Sequence, residues 1–275
     1  MWFASLVLLA VALFGGALFE LSGKRLESRL PLILAFGGAY IVGLLFLHLI
    51  PEAYATAPST MGIFVLIGFI LQGLLEYFSQ GVEHGHIHPA HGEQGHDHSA
   101  CVKEHPTRGE NESVARGSGM PWAIFLSLCL HALIEAMPLG HAGHDHAGHH
   151  HTHEMGSGWA QLDAQLLLGI AMHHVPVAVV IMGMMQAMGV GKGSRWIALA
   201  VFGLMPALGM GLFEWLMHSN WTLQPNLWAL SQGVLIGFLL HISTTMLFES
   251  GDGHRFNAAK LAVTLLGLLI AVITL

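Results

Sequence analysis

The sequence predicts an all-α integral membrane protein, a bundle of eight transmembrane helices with both termini on the non-cytoplasmic side. The distribution of charge is the first observation behind this. All ten Lys and Arg residues fall in four stretches, 21–31, 80–119, 189–196 and 250–260. Long apolar, Gly-rich segments lie between and beyond them, and their only charges are a few carboxylates. Positive flanks resist translocation, so Lys and Arg gather in short cytoplasmic loops. Four basic loops separated by pairs of apolar spans give an even number of helices. Composition is the second observation: 53% of residues are hydrophobic, 10% are charged, and 34 of 275 are Gly. So little charge suits helices that face lipid rather than water.

A spanning helix needs roughly 20 mainly apolar residues. Eight segments qualify: 2–20, 32–50, 61–79, 120–140, 163–187, 195–217, 227–248 and 259–275. No basic residue precedes the first apolar run, and Gly15-Gly16-Ala17 is a weak cleavage site. That run is therefore expected to stay as a span rather than be removed as a leader. The chain reads as a single transporter-like membrane domain, 1–275, with a cytoplasmic His-rich loop at 80–119 and a non-cytoplasmic one at 141–158. Short loops and no bulky external domain favour a multi-pass protein of the cell membrane, with a bacterial inner membrane as the expected setting.

Several partner classes are excluded or narrowed by the same reading. The net charge of −7 comes without a basic patch, so nucleic acid is not an expected partner. Cys101 in a loop and Cys129 within a span do not make a disulfide framework. The lipid bilayer is the surrounding partner. Small-residue faces such as Gly37-Gly38 and Gly209-x-Gly211 permit close helix packing, and a homodimer is compatible with them.

Twenty-one histidines divide into three groups of seven: one group in 80–119, one in 141–153, and the remainder at His48, His131, His173, His174, His218, His241 and His254. The two loop groups have a Gly-His-x-His character interleaved with Asp, Glu and Ala. Such sequence packs no core, and its imidazoles meet a borderline metal ion in many interchangeable ways. These loops are expected to gather or buffer a divalent transition metal; a solvated linker is the plainer alternative.

Ionisable side chains inside spans are costly and are usually functional. In the fourth span His131 and Glu135 stand at i and i+4, on one face of one helix. Imidazole plus carboxylate is a partial shell for Zn²⁺ or a similar ion, or else a hydrogen-bonded pair joining two helices. The fifth span carries His173 and His174, followed by Pro176. Adjacent helical residues diverge by roughly 100°, so the two histidines address neighbouring metal positions, or one is a ligand and the other its support. Pro176 lacks an N–H, freeing the Met172 carbonyl and allowing a bend, and Pro138 and Pro206 place comparable interruptions in spans four and six. Broken helices with freed carbonyls recur at transporter binding sites.

Three further residues enter as candidate metal ligands. His48 and Glu52, again four apart, stand at the outer mouth by this topology, as ion ligands or as an interfacial cap. His241 either lines a path or bonds across helices through its Ser/Thr neighbours. Glu76 and Glu214, near span ends, read as interfacial. The methionines Met182, Met184, Met185 and Met188 scatter around the helix and read as apolar packing.

Taken together, these residues resemble the ZIP zinc transporters over essentially the whole chain. The resemblance is carried by eight spans, the His-rich loop after span three, His-x-x-x-carboxylate in span four, the His-bearing Pro motif in span five and His48-Leu49-Ile50-Pro51-Glu52-Ala53 in span two. It implies a ZIP-like bundle with a metal centre midway across the membrane, His131 and Glu135 in primary ligand positions, and His173 and His174 where span five presents its first two. It also implies import of a divalent metal, chiefly Zn²⁺ as substrate, by alternating access. The chain departs from the family pattern at Ala132, Val177, Met205 and Thr245, which removes most carboxylates from the second metal position. One site is therefore expected, built from His131, Glu135, His173 and in part His174. Imidazole-rich ligation favours Zn²⁺, Ni²⁺, Cu²⁺ or Co²⁺ over Mg²⁺, Ca²⁺ or Mn²⁺.

Other classes compete with this reading. A cation-diffusion exporter would place a His-rich loop on the same side, but that class expects six spans and a large C-terminal domain, whereas this sequence closes on an apolar run at Leu275. A membrane sensor or chaperone would bind metal without moving it. A membrane-embedded metalloenzyme is suggested by His146-Ala147-Gly148-His149-His150, yet that spacing arises easily in a stretch so rich in histidine. Deleting residues 141–155 separates the last case: a transporter keeps flux with a weaker apparent affinity, and an enzyme loses all activity.

Overall fold

The computed structural model describes residues 2–22, 29–79, 122–141, 158–219, 224–248 and 258–274. Both His-rich stretches apart from His141, together with Cys101 and His254, lie outside the described residues. The described residues are helical, without strands. In chain order the helices are α1 (Trp2–Ser22), α2 (Leu30–Leu44), α3 (Ile50–Thr56), α4 (Met61–Ser79), α5 (Trp122–Ala136), α6 (Gly158–Ala187), α7 (Lys192–His218), α8 (Gln224–Phe248) and α9 (Ala258–Thr274). A single π turn, Leu45–Leu49, joins α2 to α3, and a 3₁₀ turn, Met137–His141, closes α5. Among the described residues seven helical segments are long and apolar enough to cross a membrane, the α2–π–α3 run counting as one; α9 is a shorter apolar helix. The protein is thus an all-α, multi-pass membrane protein.

Local sequence explains several boundaries. Pro31 sits in the first turn of α2, where a missing N–H costs nothing. At the end of α6, Gly189 takes φ 76°, Val190 N–H donates to Met185 O at 2.9 Å and Gly189 N–H to Gln186 O at 3.0 Å. That pair of bonds is a Schellman cap, which needs a residue without a Cβ at its left-handed position. The interruption expected at Pro138 is present, because α5 passes into the 3₁₀ turn there. Those expected at Pro176 and Pro206 are not: α6 and α7 run through their prolines. Each proline removes one backbone bond, and both Pro176 and Pro206 are buried against neighbouring helices while the rest of the ladder continues.

The helices fall into two groups. One contains α1, α5, α6 and α7; the other contains α2, α4, α8 and α9. Within each group backbones approach through glycines. A Cβ on Gly209 of α7 would strike the backbone of Leu133 on α5, and one on Gly15 of α1 would lie 2.9 Å from Val175 O on α6. In the second group Gly68 of α4 faces Val234 of α8, Gly233 and Gly237 of α8 face Phe64 and Val65 of α4, and a Cβ on Gly267 of α9 would lie 2.6 Å from Phe36 O of α2. Such small-residue faces let dispersion hold helices together where lipid supplies no hydrophobic drive. Between the groups the approach is looser. A Cβ on Gly37 of α2 would stand 4.0 Å from Met172 O on α6, and Gly169 of α6 faces the side chains of Leu44 and Tyr40. The glycine faces named from sequence are thus used inside the chain at Gly38, against Met246 and Ser243 O, and at Gly209.

The buried apolar side chains form two clusters. One gathers Leu128 and Ala132 of α5, Val177–Met185 residues of α6 and Phe202 of α7; the other gathers Ala136, Ile170, Met210 and Leu239. Met182, Met184 and Met185 belong to the first cluster, as packing residues, and Met188 is exposed. Between the clusters runs a polar seam. Gly237→Leu is expected to force α4 and α8 apart and to destabilise the bundle by about 1–3 kcal/mol, measured by thermal unfolding in detergent micelles, while the same change at Gly193, where no atom lies within 4 Å, leaves packing unaffected.

Candidate metal centre

The seam is occupied by His131 and Glu135 of α5 and His173 and His174 of α6, each no more than 1% exposed. The i, i+4 spacing puts the first two on one face, as their sequence requires. His131 Nε2 lies 3.3 Å from Glu135 Oε2 and 3.4 Å from His173 Nε2. One ligand atom from each of the three side chains lies within 4.8 Å of the others, and among the described residues this is the group of His, Cys and carboxylates able to hold a metal ion.

These spacings have a simple chemical meaning. Tetrahedral Zn²⁺ with bonds of 2.0–2.1 Å separates its ligand atoms by about 3.3 Å. The short contacts of the seam match that edge. Both oxygens of Glu135 are buried, and among the described residues neither has a well-formed hydrogen bond, His131 Nε2 at 3.3 Å being the neighbour placed to supply one. An anion in such a place is costly without a compensating cation, so the donor set fits a borderline divalent ion.

The other group of helices closes over the ligands. Gln72 of α4, wholly buried, accepts a hydrogen bond from His131 Nδ1 at 2.9 Å. Phe238 of α8 stacks on the His131 ring at 5.8 Å. Neither residue stood out in the sequence. Gln72 had one available signal: it is a long polar side chain in an otherwise apolar stretch of α4, four residues before Glu76.

His174 departs from its neighbour. It donates Nδ1–H to Ile170 O at 2.9 Å and lies against Phe202 of α7 at 5.3 Å, outside the three-residue group. Its Nε2 is buried with no hydrogen-bond partner among the described residues. Ala132 and Val177, where the ZIP pattern has polar ligands, are buried in the apolar core.

The remaining candidates sit elsewhere. His48 lies in the π turn and is half-buried, as is Glu52, and the two interact electrostatically. His241 of α8 pairs with Glu76 of α4 and packs edge-on against Phe69 at 4.7 Å. Glu76, near the end of its span, is the partner of a histidine 165 residues away. Thr245 donates its hydroxyl back to His241 O, one turn earlier in the same helix, at 3.0 Å. Cys129 is a buried free thiol.

No family model matches this chain, and no curated protein matches it.

A thermal-shift measurement tests the metal reading of the seam. At zinc about 100-fold above Kd, ligand linkage adds about 2.7 kcal/mol to the native protein. Glu135→Gln is expected to lose most of this gain while keeping, or slightly raising, its metal-free stability, because a buried charge has been removed. An equal zinc shift in both proteins would place the binding outside the seam.

Proposed function

We propose that this chain is a ZIP-like transporter that carries a divalent transition metal, Zn²⁺ first, into the cytoplasm. The ion passes through the seam between α5 and α6, by alternating access. The observation that carries the reading is the convergence of His131 Nε2, Glu135 Oε2 and His173 Nε2 at metal-edge spacing in a buried, apolar surround. Nothing in that arrangement resembles a nucleophile with its base, and no open substrate cleft is needed for its chemistry. An ion that sheds its water there gains two imidazoles and a carboxylate in exchange.

The eight-span topology, with α9 as the last span and both termini outside, is part of the same proposal. It is supported by an ion pair between two of the four basic stretches' flanks. Glu20, at the end of α1, binds Lys192 at 3.2 Å and Arg195 at 3.1 Å, both at the start of α7. Arg195 is nearly buried and also donates to Gln186 Oε1. The end of α1 and the start of α7 therefore lie on one face of the bundle, which supports a common cytoplasmic side for the basic stretches beside them.

Purified protein in proteoliposomes with a zinc-sensitive dye inside provides the test. External Zn²⁺ is expected to enter, and Glu135→Ala to lower the initial rate at least about tenfold, the loss of one charged ligand being worth more than 1.4 kcal/mol. Metal bound without any flux would make the chain a sensor or store and end the transport reading. The pH dependence has a definite sign. Imidazole ligands bind metal only when deprotonated, so affinity falls as pH drops through roughly 6–7. Uptake at subsaturating zinc is expected to decline as the outer pH goes from about 7.5 to 5.5, and an unchanged rate would count against histidine ligation.

A further inference from the structure

We infer that Gln72 is a positioning residue that selects the metal-binding tautomer of His131; this rests on the metal reading of the seam and deepens it. A neutral imidazole carries one proton on two nitrogens, and which nitrogen is free to bind metal depends on what the other one meets. The amide oxygen of Gln72 only accepts, and it lies 2.9 Å from Nδ1. Nδ1 is therefore the protonated nitrogen, and Nε2 carries the lone pair. Nε2 is also the atom that stands 3.3 Å from Glu135 Oε2 and 3.4 Å from His173 Nε2.

The opposite tautomer would satisfy the seam without any metal. Nε2–H would then donate to Glu135, giving the carboxylate the hydrogen bond it lacks. The price would be a lone pair on Nδ1 set against the Gln72 oxygen, both buried. To escape that clash the Gln72 amide would have to turn its NH2 toward Nδ1 and give up the arrangement in which its oxygen now accepts from the ring. Gln72 thus keeps the centre in the form that a cation completes. Outer partners of ligating histidines act in this way, and removing one typically weakens metal binding by roughly 10–100-fold.

The choice of an amide also matters. A carboxylate at this position would accept the same Nδ1–H but add a second buried negative charge beside the ion. Gln72 orients the ligand at no cost in charge. It also does so from the other helix group, since α4 packs with α8 whereas the ligands belong to α5 and α6.

The test compares the native full-length protein with Gln72→Leu, which keeps the side chain's bulk but not its acceptor, and Gln72→Glu, which keeps an acceptor. The ¹⁵N spectrum of histidine-labelled, metal-free protein, with His131 assigned by its loss in His131→Ala, reports the tautomer directly. Native protein and Gln72→Glu are expected to show protonated Nδ1 and bare Nε2; Gln72→Leu is expected to shift toward protonated Nε2. In proteoliposomes Gln72→Leu is expected to raise KM for zinc roughly 10–100-fold with a much smaller change in maximal rate, and Gln72→Glu to bring KM back to native or below. A protonated Nε2 in the native protein, or an unaltered tautomer in Gln72→Leu, overturns the inference. The spectrum needs neither metal nor flux, so it decides the role of Gln72 even if the transport reading fails. Flux with unaltered KM in Gln72→Leu overturns the inference while leaving transport intact.

Discussion

Glu135 lies in the middle of the bundle, wholly buried, with neither oxygen in a well-formed hydrogen bond among the described residues, and the nitrogen nearest to it has its proton on the far side of the ring. A lone carboxylate taken out of water loses solvation worth many kcal/mol unless protein groups or a cation replace it. His131 Nε2, carrying the lone pair, gives Glu135 no proton, and the 3.4 Å contact makes His173 Nε2 the donor to His131 Nε2, so a cation between these atoms repairs more of the loss. The apolar clusters on either side deny the site an alternative in water or in a lysine. Everything else about the seam follows from this frustrated anion. The bundle tolerates it because the helices that carry it are fixed by other contacts.

Those contacts are mostly backbone against backbone. Gly15, Gly203 and Gly209 bind α1, α5, α6 and α7 into one body, and Gly38, Gly68, Gly233, Gly237 and Gly267 bind α2, α4, α8 and α9 into another. Packing at that range leaves little freedom to reorient side chains, and so fixes the spacing of the three ligand atoms. The two bodies meet with fewer close backbone approaches, and polar contacts join them: Gln72 with His131, Ser127 Oγ donating to Leu75 O at 2.6 Å, and Gln165 donating to Thr274 O. All three metal-facing side chains belong to one body, and the hydrogen bond that orients one of them comes from the other. A small displacement between the bodies would leave the ligand set whole while releasing His131 from its amide.

Much of this was legible in the chain itself. Charge segregation and apolar length placed the helices to within a few residues, because lipid allows only segments that satisfy their own backbone. The i, i+4 rule placed His131 beside Glu135, since one helix carries both. What was not legible lay in pairings between distant segments. Gln72 is an unremarkable amide until α4 meets α5, and Glu76 looks interfacial until α8 brings His241 to it. His173 and His174 were indistinguishable by sequence; only the rotation of α6 shows that one turns to the seam and the other to Phe202. The prolines misled for a related reason. Pro176 and Pro206 weaken a helix taken alone, whereas here both are buried against neighbouring helices and α6 and α7 run on.

The number of carboxylates bears on what such a centre does with its ion. With one glutamate and two neutral imidazoles, a divalent cation in the seam leaves an uncompensated positive charge in a medium of low dielectric. That excess weakens retention relative to a site with two or more carboxylates, and Ala132 and Val177 supply no second one. Strong soft-sphere ligation by imidazole works in the opposite direction, holding zinc-like ions while rejecting harder ones. In the transport proposed for this chain, selectivity would then come from the nitrogen donors and exchange from the scarcity of charge. Passage through a membrane requires both, because an ion held too tightly is not released and one held too loosely never gives up its water.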